Sequence, residues 1–158
     1  MKLDRTRGSL TGQLLTLFVL AVAINYPWEL GQSVLFARPD SWPSMWWHCL
    51  VASAGDGLLV CLIYGAGYGA FGRQDWYEQP RARHYVLMLV VGALIAIAME
   101  WIAVHIIRRW AYTPSMPVIP VLEIGIVPLA QMLVLPPLVF ALATAYRRRV
   151  HDRLRARR

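Results

Sequence analysis

Four carboxyl side chains, Glu29, Asp56, Glu100 and Glu123, lie one each in four long apolar runs of the chain. An ionisable group held at membrane depth costs about 3 kcal/mol or more, so each marks a place where a ligand, an ion or a partner side chain must compensate it. His48 and His105 lie near the ends of the second and third runs. Carboxyl and imidazole groups contributed singly by several helices suit three chemistries. They can hold a divalent metal such as iron, manganese or zinc. They can trade protons as general acids and bases on a lipid-borne substrate. They can line a cation or proton path. No run carries the Glu-x-x-His pair typical of di-iron bundles, and four helices leave little room for alternating access unless the chain oligomerises. Phosphate-loop, nucleotide and nucleophile-elbow motifs are absent from the sequence.

The elements that must position these groups follow from hydropathy. Of 158 residues 58% are hydrophobic and the mean hydropathy is +0.45, more apolar than a soluble domain of this length. Residues 14–36, 46–71, 85–107 and 118–146 each exceed the length needed to cross about 30 Å of hydrocarbon at about 1.5 Å per residue. Lipid offers no backbone hydrogen-bond partners, and runs without period-2 alternation exclude a barrel. The expectation is an all-α polytopic membrane protein, one integral domain over residues 1–158 built as a four-helix bundle. Residues 1–23 have some features of a signal peptide, but the apolar run continues past Pro27 to Phe36 and reads as a full span.

Thirteen of the sixteen basic residues flank the termini or the connection between the second and third runs. They are Lys2, Arg5 and Arg7, then Arg73, Arg81 and Arg83, then Arg147, Arg148, Arg149, Arg153, Arg155, Arg157 and Arg158. Arg38, Arg108 and Arg109 occupy the other two connections, so the positive-inside rule places both termini in the cytoplasm. The net charge of +7 is read as a topology signal and an attraction to anionic membrane lipids, not as a nucleic-acid site. Trp42, Trp46, Trp47, Trp110 and Tyr112 gather at the outer connections, and Trp76, Tyr77 and Tyr85 at the inner one, as interfacial belts do. Cys49 and Cys61 stand about 18 Å apart on one helix, too far to bond, and read as packing residues.

Helical rise puts Glu29 and Glu100 roughly 22 Å above the inner edge, and a fourth helix starting at Val118 brings Glu123 to the same layer. Asn25, Glu29 and Gln32 form one stripe at i, i+4 and i+7, with Pro27 opening the backbone beside it. Asp56 lies about 12 Å below His48, between two glycines, as a ligand or as a hydrogen-bonded tie between helices. His105 is about 140° around its helix from Glu100 and is assigned to the interface. Gln131 is assigned to interhelical hydrogen bonding. Ligand or metal candidates are therefore Glu29, His48, Asp56, Glu100 and Glu123, in a cavity opening outward. Asn25, Gln32, Gln131, Arg108 and Arg109 support it. If the two arginines pair with the acids, the cluster is instead a structural network in a subunit of a membrane complex. Gly65 and Gly69 have the spacing of close helix packing, and helix 4 is expected to kink near Pro128 and break near Pro136.

PWELGQ in the first run, WWHCLVASAGD in the second, EW followed by RRWAYTPSMPVIP, and IGIVPLAQMLVLPPL together resemble an uncharacterised family of short four-helix bacterial inner-membrane proteins. The resemblance covers most of residues 25–140. It implies the architecture, a bacterial inner membrane and one shared pattern of polar positions, and it brings no activity, substrate or cofactor. The fourth run departs from that family's form, with Glu123 and Ile126 where a Gly-x-Gly-Leu is expected, which sets Glu123 apart from the other acids.

Overall fold

The computed structural model describes residues 9–37 and 44–156. Lys2, Arg5, Arg7, Arg38, Trp42, Arg157 and Arg158 lie outside the described residues. Four helices carry the chain: α1 (Leu10–Gln32), α2 (Met45–Phe71), α3 (Ala82–Trp101) and α4 (Ile126–Ala156). All four are long and apolar enough to cross a bilayer, and the protein is a multi-pass membrane protein of the all-α class. Short strands close one end of the bundle: β1 (Phe36–Ala37) pairs antiparallel with β2 (Ala111–Tyr112), and β3 (Val118–Ile119) with β4 (Ile124–Gly125). This is the hairpin end. The opposite end holds the helix termini and the α2–α3 connection.

Around the bundle α2 packs on α1, α1 on α4 and α4 on α3, while α2 and α3 meet least. The close approaches depend on glycine. A Cβ at Gly57 of α2 would come within 2.9 Å of Phe18 on α1, and one at Gly67 within 2.2 Å of the Trp76 ring. Gly65 and Gly69, expected to serve this purpose, are exposed with nothing within 4 Å of a Cβ. Helix spacing alone did not identify the face that packs.

Helix α4 differs from expectation in its start and in its course. It begins at Ile126, because residues 118–125 fold into the β3–β4 hairpin, with Ile126 N–H bonded to the Pro117 carbonyl at 2.8 Å. Pro128 therefore falls in the first turn, where its missing N–H is no loss. The helix runs unbroken through Pro136 and Pro137. Pro136 cannot bond the Met132 carbonyl one turn back, and Gly92 of α3 faces that same oxygen, where a Cβ would sit only 2.5 Å away. A glycine opposite the freed carbonyl lets a neighbouring backbone shield it.

At the non-hairpin end Trp76, Tyr77, Tyr64, Phe140 and His84 pack in T-shaped and tilted ring contacts into an aromatic floor. Arg147 pairs with Glu78 at 2.8 Å across the α2–α3 connection and α4.

Candidate functional site

The α1 stripe is buried as its spacing predicts. Gln13, Leu17, Ala21, Asn25 and Gln32 are its fully buried residues, and Glu29 lies beside them, partly buried. Asn25, only 1% exposed, anchors itself by donating from Nδ2 to the Ala21 carbonyl at 2.9 Å. Its Oδ1 then faces α4.

There it meets Gln131, the centre of the polar layer. Gln131 Nε2 lies 2.8 Å from Asn25 Oδ1, 2.8 Å from Glu29 Oε1 and 2.9 Å from Asp56 Oδ2. Its carbonyl accepts from Gln32 Nε2 at 2.8 Å, and the same Gln32 amide donates to Glu29 Oε1 at 2.7 Å. Trp28 closes the set by donating its indole N–H to Gln32 Oε1 at 3.2 Å. Three helices, α1, α2 and α4, are thus tied through one amide.

Glu100 arrives from α3, 7% exposed, and stands apart from this set. The Tyr112 hydroxyl donates to Glu100 Oε2 and accepts from the Gly125 N–H at 2.9 Å. Tyr112 therefore links α3 to the strand that starts α4. The β1–β2 pairing sets its position, with the Phe36 ring 5.7 Å from Tyr112 and 6.2 Å from Trp110. Burial, and then the hydrogen bond to Glu100, push the Tyr112 phenol above the usual tyrosine range. A raised folded-state value means that this contribution to stability is complete below about pH 10 and is lost as pH rises through the higher folded value. Tyr112→Phe should destabilise the protein by about 1–2 kcal/mol at neutral pH in an unfolding titration. The ultraviolet difference between wild type and variant should show no phenolate from Tyr112 at pH 10; a phenolate step there would contradict the contact.

Beyond Trp101, α3 widens into a π-helical turn, Ile102–Ile106, in which the Ile107 N–H bonds the Ile102 carbonyl at 2.9 Å. Such turns re-aim the residues that follow them. Ala103 stays buried and Ile102 lines a cavity, while His105 lies against the Trp101 ring at 5.8 Å, outside that cavity.

The cavity holds about 560 Å³ at the hairpin-end half of the bundle. Glu29, Asp56, Glu100, Gln32, Gln131 and His48 supply its main polar lining. Leu59, Ala96, Ala103, Pro128 and Met132 supply apolar wall, and Phe36 and Trp110 cover the hairpin end. The exposed residues of its lining are mostly apolar: Val51, Gly55 and Leu58 on α2, Met99 on α3, and Ile102, Ile107 and the charged Arg109 just beyond it. Most of these residues belong to α2 and to the Ala82–Ile106 span, both long and apolar enough to cross a bilayer, and they border the seam between α2 and α3.

Four of the five candidates, Glu29, His48, Asp56 and Glu100, line this one cavity. Glu123 does not. It is exposed in the β3–β4 turn with φ 52°, because the helix that would have carried it inward starts three residues later. Arg108, at φ 47°, and Arg109 are exposed, and among the described residues neither forms an ion pair with Glu29, Asp56 or Glu100. The acids are held by amides and a phenol. Among the described residues no three His, Cys, Asp or Glu side chains are grouped so as to hold a metal ion. Cys49 is buried on the cavity wall, and Cys61 is partly buried elsewhere on α2. Tyr112 and Trp110 were read from sequence as interfacial belt residues only; the β1–β2 pairing that turns them inward is a contact between residues far apart in the chain. Comparison of the chain with protein-family models, curated proteins and solved structures found no match.

Proposed function

We propose that the protein binds a membrane-soluble amphiphile that enters sideways between α2 and α3. Its apolar part lies along Leu59, Ala96, Ala103 and Met132, and its polar end reaches the layer of Glu29, Asp56, Glu100 and Gln131. The observation that carries this reading is the combination in one cavity of about 560 Å³ of exposed, mostly apolar residues on two helices long enough to span a bilayer and a buried polar wall. That volume is within the range of small-molecule sites, which pair apolar walls with a few placed polar groups. A purely structural carboxyl–amide network needs no void beside it, and a well-packed core would fill one. Whether the bound molecule is also transformed depends on its chemistry, and Glu29, Asp56 and Glu100 are the groups available to exchange protons with it.

Native mass spectrometry of protein released from lipid nanodiscs tests the reading. One retained amphiphile of bilayer origin per chain is expected; the bare chain alone, across gentle release conditions, would count against it.

The membrane is read as a bacterial inner membrane with both termini cytoplasmic. Support comes from the basic residues: Arg73, Arg81, Arg83, Arg147, Arg148, Arg149, Arg153 and Arg155 all belong to the non-hairpin end. In a background lacking Cys49 and Cys61, Ser44→Cys should react with an impermeant thiol reagent added to intact cells. Labelling only after lysis would reverse the orientation.

A further inference from the structure

The hydrogen atoms around Gln131 do not suffice for its neighbours. Its Nε2 carries two hydrogens yet lies within 2.9 Å of three oxygens, on Asn25, Glu29 and Asp56. Neither Asn25 nor Gln32 can supply the missing one. Asn25 presents its oxygen there, and both hydrogens of Gln32 Nε2 are spent on Glu29 and on the Gln131 carbonyl. Glu29 Oε1 and Asp56 Oδ2 crowd the same nitrogen, at 2.8 and 2.9 Å, and two buried carboxyl groups brought together in this way cannot both stay ionised at low cost. The geometry therefore holds one proton on the Glu29–Asp56 pair, leaving the pair with a single negative charge.

The cavity beside the pair sharpens what can bind there. It is roomy, its walls are mostly apolar, and so is most of the exposed part of its lining. The titratable and charged groups around the pair are Glu100 from α3, His48 from α2, and Tyr112 and Arg109 from the α3–α4 connection. Among the described residues no arginine or lysine forms an ion pair with the three acids. A buried carboxylate without a cationic partner is costly, and a ligand that brings the cation removes that cost.

We infer, on the basis of the proposed amphiphile site, that the ligand's polar end is a cation and that its binding displaces the proton shared by Glu29 and Asp56. The step balances: the cation enters, one O–H bond of the pair breaks, the proton leaves to water, and the site's total charge is unchanged. Such a site takes a lipophilic ammonium compound in exchange for a proton. An uncharged alcohol of the same chain length binds through the apolar wall alone, with no proton released.

Dodecyltrimethylammonium, permanently charged, and dodecanol are the probes, titrated calorimetrically into the full-length protein in phosphatidylcholine nanodiscs between pH 5.5 and 7.5. Two buffers of different protonation enthalpy report proton release. Cation affinity is expected to rise about tenfold per pH unit with about one proton released, and dodecanol affinity to stay flat. His48→Gln should keep this slope and Asp56→Asn should lose it. A flat cation affinity, or a slope lost in His48→Gln and kept in Asp56→Asn, overturns proton exchange at the carboxyl pair. If dodecanol still binds saturably in that case, the amphiphile site stands; if neither probe binds saturably, both readings fall. The wild-type pH series decides the matter even where a variant does not fold.

Discussion

Gln131→Leu is expected to lower the unfolding free energy by on the order of 3 kcal/mol. Leucine fills similar space but removes the donor shared by Asn25, Glu29 and Asp56 and the acceptor used by Gln32. Each buried polar group left without a partner costs about 1–3 kcal/mol, and the groups concerned belong to α1 and α2 as well as α4. Some of the loss is recovered by Gln32, which still reaches Glu29, so the total falls below the sum of separate deletions. Leu129→Ala is the matched control, since Leu129 is an apolar residue of the same helix packed at the edge of the core. Unfolding by denaturing detergent with circular dichroism as readout checks the prediction. A loss under about 1 kcal/mol for Gln131→Leu would mean that the polar layer does not hold the helices together.

Gly55→Phe should abolish amphiphile binding, by at least tenfold, while leaving the fold intact. Gly55 lines the cavity on the exposed side of α2, and a Cβ there meets nothing within 4 Å. A phenylalanine at this position has room to lie across the seam toward Met99 and Ile102, which also line the cavity. Replacing an exposed helical glycine also favours the helix by several tenths of a kcal/mol, which opposes any loss of stability. Gly57→Phe offers the contrast: its Cβ already comes within 2.9 Å of Phe18, so the ring has no place to go and α1 must separate from α2. Two glycines two residues apart are thus expected to give opposite outcomes, lost binding with retained fold at Gly55 and lost fold at Gly57. Retained binding in a folded Gly55→Phe protein would place the entrance elsewhere.

Much of this architecture is legible from local sequence. Span-length apolar runs give four helices, and counting turns along α1 and α3 puts Glu29 and Glu100 on one cavity. The i, i+4, i+7 stripe of Asn25, Glu29 and Gln32 is local geometry too. What the sequence does not display are contacts between distant segments. Val118 to Gly125 is apolar enough to read as helix, yet Pro117, Pro120 and Gly125 punctuate it, and the hairpin that forms carries Glu123 out of the site. Gln131 looks like one interhelical amide among others until Asn25, Glu29 and Asp56 converge on it from two other helices. Tyr112 becomes the partner of Glu100 only through pairing with Phe36, 76 residues earlier. The pairing of Arg108 and Arg109 with the acids, plausible by proximity along the helix, does not form among the described residues: Arg108 is exposed at a positive φ beyond the π-helical turn, and Arg109 lines the cavity without an ion pair to the acids.

Photo-crosslinking tests the lateral cavity most directly. A membrane-soluble alkyl probe bearing a diazirine on its chain, activated in nanodiscs and mapped by peptide mass spectrometry, reports which residues the chain touches. Adducts are predicted at Ala96, Ala103 and Met132, which are buried in the bundle and line the cavity, and these adducts should disappear in Gly55→Phe. Adducts confined to lipid-facing residues such as Leu62, Leu94 and Val134, with none at the three buried positions, would contradict the account.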